Sequence, residues 1–122
     1  MKTSNYARCA KHPNAVSIAG RAPDWYEGRQ YKILAPKKDF FLEYKRTGDE
    51  AAYIEEFQRR VLDPLDPRQI YEELGPNAIL LCWEAPGPGQ FCHRWLVARW
   101  LEKHLGITIP EVGMEQTQGA LL

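Results

Sequence analysis

No stretch of the 122 residues approaches 18 consecutive apolar positions, so none is long enough to cross a bilayer as a helix. The opening Met1-Lys2-Thr3-Ser4-Asn5-Tyr6 lacks the apolar core of a signal peptide. Cysteine is scarce: three residues, an odd number, do not make the disulfide framework of a secreted scaffold. Together these absences predict a cytoplasmic protein without a membrane partner. An excess of either charge is missing as well. Sixteen basic residues balance sixteen acidic ones, whereas a protein that tracks along nucleic acid carries a basic surplus. Extended nucleic-acid binding is therefore disfavoured, while a local basic pocket stays open. The chain also has no Gly-x-Gly-x-x-Gly and no Gly-x-x-x-x-Gly-Lys-Ser/Thr, the usual dinucleotide and nucleoside-triphosphate cradles. There are no repeats or low-complexity tracts.

What remains is the composition of a folded protein: 44% hydrophobic, 26% charged and 11% aromatic residues. A chain of 14.1 kDa suits one domain and buries enough surface to fold without staples. The expected layout is a single α/β domain over residues 1–112 with a loosely held tail over 113–122.

Turn residues and hydrophobic periodicity divide the chain. Residues 1–12 are polar and carry Cys9-x-x-His12 before the Pro13-Asn14 turn. Ala15-Val16-Ser17-Ile18-Ala19 and Tyr31-Lys32-Ile33-Leu34-Ala35 read as short strands, ended by Gly20 and Pro36. Asp39 is placed to cap a short helix that Thr47-Gly48 ends. Asp49 opens a longer helix to about Leu62, with Tyr53, Ile54, Phe57, Val61 and Leu62 on one face. Asp66-Pro67 starts another, ending near Leu74.

Ala78-Ile79-Leu80-Leu81-Cys82-Trp83 is an unbroken apolar run, as in a strand buried on both faces. A Pro/Gly loop follows, then a helix from Cys92 to Leu105 with Leu96, Val97, Trp100, Leu101 and Leu105 inward, and Gly106 to end it. Ile107-Thr108-Ile109 reads as a last strand, completing a right-handed parallel crossover.

Ligands of parallel α/β sheets collect beyond the carboxyl ends of strands, where helix N-termini point. Cys82 and Glu84 fall at such a strand end, and Cys92, His93 and Arg94 open the next helix. Helix amides and the dipole attract an anion there, and an arginine adds a fork for phosphate or carboxylate. A cysteine in that position has its thiolate favoured. The expected roles are Arg94 as anion ligand, Glu84 or His93 as acid or base, and Cys92 as nucleophile or polarised donor, with Cys82 beside them. The layout shares something with cysteine-based phosphatases, but 12 positions from Cys82 to Arg94 are too many for a phosphate-wrapping loop.

Leu80-Leu81-Cys82-Trp83-Glu84, the proline- and glycine-containing gap, and Cys92-His93-Arg94 ahead of a hydrophobic helix resemble the domain-of-unknown-function 488 family. The likeness runs through Val16-Ser17-Ile18, Pro23-Asp24-Trp25, Leu34-Ala35-Pro36, Tyr53 and Val61-Leu62-Asp63-Pro64 to Gly106 and Pro110-Glu111, nearly the whole chain. The resemblance implies a small single-domain Rossmann-like sandwich, with a mainly parallel short sheet flanked by helices. It implies no established activity.

Blander roles compete for each residue. Cys82 is also a natural core residue at a strand end. Arg94 and Glu84 would form an ion pair in a purely structural Cys-His-Arg corner. A Cys82–Cys92 disulfide is geometrically feasible, but a reducing compartment argues against it except as a redox switch. Adjacent side chains such as Cys92 and His93 diverge on a helix, so no metal and no other cofactor is expected, although Cys9 and His12 are further candidate ligands whose part in such a site the sequence leaves open. Trp25 with Tyr26 would stack on a base or act as a lid on the core. Ser4 and Tyr6 would line the same cleft if the opening segment forms a strand beside residues 15–19. Two readings follow: an enzyme-like pocket for a small anionic substrate such as a nucleotide, a nucleobase or a nucleic-acid end, or a non-catalytic module that binds a small ligand or a protein.

Overall fold

A computed structural model describes residues 1–83 and 92–114 of the chain. Its strands are β1 (Lys2–Asn5), β2 (Ala15–Ser17), β3 (Arg29–Gln30) and β4 (Ile79–Cys82). The described helices are α1 (Tyr6–Cys9), α2 (Lys38–Thr47), α3 (Glu50–Phe57), α4 (Pro67–Leu74) and α5 (His93–Leu105). The strands form one all-parallel sheet in the order β1-β4-β2-β3, so the architecture is the expected Rossmann-like α/β arrangement. No described helix is long and apolar enough to cross a membrane.

The unbroken apolar run takes the centre of the sheet because both faces of β4 need cover. Leu80, with Val16 and Ile18, packs against Phe57, Val97 and Leu101 from α3 and α5. Ile79 and Leu81 turn the other way, toward Tyr6 and Cys9 of α1 and toward Tyr26. Fully burying each leucine contributes roughly 2–3 kcal/mol, which holds the strand in register between its two neighbours.

Several helix boundaries follow the expected chemistry. Asp49 Oδ1 accepts from the Ala52 amide at 3.1 Å, and Asp66 Oδ1 accepts from the Arg68 amide at 3.1 Å with Pro67 in the first turn. Gly48 and Gly106 end α2 and α5 at φ of 70° and 67°, the left-handed conformation that a Cβ disfavours. After α3 the chain continues as a π-helical turn, Gln58–Leu62, closed by Asp63 N–H to the Gln58 carbonyl at 2.8 Å. The wider turn lets the consecutive Val61 and Leu62 both face the core.

Other expectations are corrected. Asp39 does not cap α2: Lys37 holds that position without a side-chain bond, and Asp39 pairs with Arg60 at 2.7 Å. Ile54 points outward, 40% exposed. On α5, Leu96 and Leu105 are only half-buried, and His93, Arg94 and Ala98 join the inner face. Residues 31–35 are not a strand. The pairing with the three-residue β2 is used up by β3 and the Tyr31 N–H to Ser17 carbonyl bond at 2.8 Å, and Lys32–Leu34 then turns as a 3-10 helix that buries Leu34. Residues 107–109 are not a strand either, since the Ile109 amide is taken by Glu102 Oε2 at 2.7 Å. The crossover is instead completed two residues later, by a single parallel bridge between Glu111 and Thr3 on the outer side of β1.

The polar opening segment forms β1, which pairs with β4 and not with β2. Its buried Thr3, Ser4 and Asn5 carry no hydrophobic alternation to reveal a strand. Asn5 ends it by capping α1, accepting from the Arg8 amide at 2.9 Å. The tail expected to be loosely held lies outside the described residues from position 115 onward.

Candidate functional site

Beyond the carboxyl end of β4, Cys82 and Cys92 meet. They are joined as a disulfide, Sγ–Sγ 2.04 Å with Cα atoms 6.7 Å apart, a bond that the reducing compartment expected from the sequence disfavours. Cys92 is the N-cap of α5, with extended backbone at φ −147° and ψ 141°. His93 is the first helical residue. Because the pair straddles the helix boundary, adjacent side chains that would diverge inside a helix converge here. The His93 Nδ1 lies 3.4 Å from Cys82 Sγ and 4.0 Å from Cys92 Sγ.

The protonation of His93 follows from its other nitrogen. Nε2 sits 2.7 Å from the Ile18 carbonyl oxygen, which only accepts, so Nε2 carries the hydrogen and Nδ1 keeps its lone pair. With the sulfurs in a disulfide, Nδ1 and Cys82 are in contact and not hydrogen-bonded, because neither bears a hydrogen. The ring is buried against Phe57, centroids 5.6 Å apart. Burial first, and then the positive Arg94 beside it, push the imidazole down to about 4 against the opposing Ile18 bond.

Arg94 does not reach this cleft. It is fully buried, and its Nε and Nη2 donate to Glu111 Oε1 and Oε2 at 3.1 and 3.0 Å. Glu111 also accepts from Thr3 Oγ1 at 2.6 Å and Trp95 Nε1 at 2.9 Å, and the guanidinium lies 4.5 Å over the Trp95 ring. Burial alone would raise the Glu111 pKa; the bonds from Arg94, Thr3 and Trp95 outweigh it and hold the carboxyl below its ordinary range. The anion fork expected for a ligand is thus taken by a carboxylate of the chain itself. Arg94 Nη1 is buried and has no hydrogen-bond partner among the described residues. Glu84, the other expected partner, lies outside the described residues.

The remaining expected ligand residues are scattered. Ser4 Oγ is buried, with no hydrogen-bond partner among the described residues. Tyr6 is buried on the α1 face, its hydroxyl 2.6 Å from Ser17 Oγ and its ring edge-on to Tyr26 and Trp83. Trp25, 58% exposed, lines a different cleft of about 950 Å³ by the starts of β2 and β4. That cleft is the larger, yet neither the cysteine pair nor His93 borders it. Cys9 is buried in the α1-side core, and His12 Nδ1 accepts from the Asn14 amide at 3.0 Å. Neither joins Cys82, Cys92 and His93, which are the one group of three possible metal donors among the described residues.

Cys82, Cys92 and His93 form the inner end of a cleft of about 660 Å³. Its rim holds Arg21, Lys38 and Lys45, and its walls hold Phe41, Tyr44, Tyr53 and Trp83. No carboxylate is among the described residues that line it. Lys45 Nζ lies 5.2 Å over the Phe41 ring, and the Trp83 indole N–H donates to the Arg21 carbonyl at 2.9 Å. The sequence reading missed the basic side of this cleft, although a signal exists: Lys38, Phe41 and Lys45 recur at helical spacing and so share one face of α2. No family model matches the chain, nor does any curated protein or solved structure.

Proposed function

We propose that the chain binds a small anionic molecule with a planar, apolar part, of the nucleotide or nucleobase class, in the cleft beyond β4. One observation carries the reading: Lys38 and Lys45, with Arg21, whose guanidinium also lies 3.4 Å from Asp24, border an aromatic-walled cleft whose described lining has no carboxylate. In a protein of zero net charge such a local surplus is uneven distribution, not background. The rings suit the face of a base, and the cations suit phosphate or carboxylate.

In this reading Arg94 is the structural corner, and Arg21, Lys38 and Lys45 replace it as anion ligands. Cys92 and His93 stand where a bound molecule would meet them, but a nucleophilic role for Cys92 needs the reduced pair, because a disulfide sulfur is not a thiolate. Membership of the domain-of-unknown-function 488 family belongs to the same proposal.

The test is a thermal-shift screen of the full chain against nucleotides, nucleosides and sugar phosphates, repeated on Lys38→Ala/Lys45→Ala. A ligand at a hundred times its dissociation constant adds about 2.7 kcal/mol of stability. A shift that disappears in the double variant supports the site. No shift from any of these classes, or one that the variant retains in full, overturns it.

A further inference from the structure

We propose that the reduced forms of Cys82 and Cys92, together with His93, bind one borderline-soft divalent cation of the zinc class, with the fourth coordination position open to the cleft. The inference stands on the donor set and is independent of which molecule the cleft accepts.

Two thiolates and an imidazole are the donor types that select zinc over the hard cations, which require oxygen. With zinc–sulfur bonds of about 2.3 Å and zinc–nitrogen bonds of about 2.0–2.1 Å, sulfur and nitrogen donors on a tetrahedron stand roughly 3.6 Å apart. With the disulfide still closed, the His93 Nδ1 distances to the two sulfurs, 3.4 and 4.0 Å, already bracket that edge. Nδ1 is also the nitrogen with a lone pair to give, because Nε2–H is committed to the Ile18 carbonyl at 2.7 Å. An imidazole oriented through its second nitrogen in this way is the usual outer-shell support of a metal-bound histidine.

Elements of secondary structure hold all three donors. Cys82 ends the central strand, Cys92 caps a helix of 13 residues, and His93 opens it. The three donors lie within 4.8 Å of one another, and each residue also lines the cleft. Three protein ligands among the described residues, with one position left for solvent or substrate, is the arrangement of a reactive zinc, whereas structural sites close all four.

The disulfide and the cation exclude each other. Opening the Cys82–Cys92 bond takes two electrons and two protons from a dithiol, which itself becomes a disulfide. Cation binding then releases the two thiol protons and leaves two thiolates on the metal. Reoxidation to the disulfide, by any disulfide acceptor, expels the cation.

The full-length protein is reduced with a phosphine, freed of excess reagent without oxygen, and titrated with Co²⁺. One Co²⁺ per chain is expected, with thiolate-to-cobalt charge transfer in the near ultraviolet and the intense visible bands of a four-coordinate ion. One equivalent of Zn²⁺ displaces it, and azide alters the visible bands through the open position. The oxidised protein gives none of this. Cys9→Ala leaves the signal intact, Cys82→Ser removes about half the charge transfer, and His93→Ala weakens binding by more than about tenfold, an effect that outer-shell changes alone already reach. Reduced wild type without the charge-transfer band overturns the proposal, as does a signal that survives Cys82→Ser but is lost in Cys9→Ala. The reduced and oxidised wild type decide it even if a variant fails to fold. Visible bands that ignore azide overturn the open fourth position.

Discussion

Arg94 and Glu111 face each other across the edge of the sheet, joined by two parallel hydrogen bonds of 3.1 and 3.0 Å in a buried setting. Arg94 belongs to the first turn of α5; Glu111 belongs to the segment that bridges Thr3 of β1. The pair therefore clamps the end of the chain's last crossover to its first strand. It also explains why a cation at the head of a helix facing the ligand end of the sheet is unavailable to a ligand.

Breaking this clamp is expected to be costly. Arg94→Ala leaves a buried carboxylate without its main partner and should lower unfolding stability by about 3–5 kcal/mol. Replacing both members, as Arg94→Met with Glu111→Leu, should cost less than Arg94→Ala alone. Urea titrations compare the midpoints at constant slope. A loss below about 1 kcal/mol for Arg94→Ala would mean the pair behaves as an exposed one.

Acid should act on His93 before it acts on the carboxylates. The native imidazole titrates at about 4 against 6.5 for an ordinary histidine, so the unfolded chain binds the proton first as pH falls. Stability is then full above about pH 6.5, declines toward pH 4 by about 3 kcal/mol in total, and levels off for this group below that. Glu111, held below its ordinary value, adds a further loss as pH falls through and below the usual carboxylate range. Denaturant midpoints measured from pH 8 to 4 should slope for wild type and flatten for His93→Gln. An equal slope in both would place the titrating group elsewhere.

The covalent link closes a loop with a sequence separation of 10. A loop of that size restricts the unfolded chain by about 3 kcal/mol. Cys82→Ser should lose that much in oxidising buffer and match wild type when both are reduced and metal-free. Identical melting of wild type with and without a reductant would show that the bond does not form in solution.

Ligand affinity at the α2 rim should depend on salt. Lys38 and Lys45 act from an open cleft, so raising ionic strength from 0.01 to about 0.15 M shrinks their reach from about 30 Å to about 8 Å. Calorimetric titration of a nucleotide should weaken accordingly, and Lys38→Ala/Lys45→Ala should leave folding stability within about 0.5 kcal/mol of wild type. Salt-independent binding would point to the aromatic walls alone.

Much of the α/β fold is written locally. The apolar run from Ala78 to Trp83 supplies a strand covered on both sides over Ile79–Cys82, with Trp83 beyond its end and exposed, and Asp49, Asp66, Gly48 and Gly106 mark helix ends through bonds and backbone angles that depend on near neighbours. The segments misread are those whose structure is decided at a distance. Two of the three buried polar side chains of β1 are held by hydrogen bonds: Thr3 donates to Glu111, and Asn5 accepts from the Arg8 amide. Residues 107–109 look like a strand, but Glu102 takes the Ile109 amide first.

The site divides the same way. Cys82, Cys92 and His93 stood out by residue type and by their places at a strand end and a helix start, both properties of the sequence. That their donor atoms converge was decided by the tertiary structure, since the extended backbone of Cys92 and the Ile18 carbonyl together aim His93 at the sulfurs. Tertiary structure also chose the partner of Arg94. A guanidinium in a helix's first turn can serve a ligand or a carboxylate 17 residues away, and only the chain's return past β1 puts Glu111 within bonding distance.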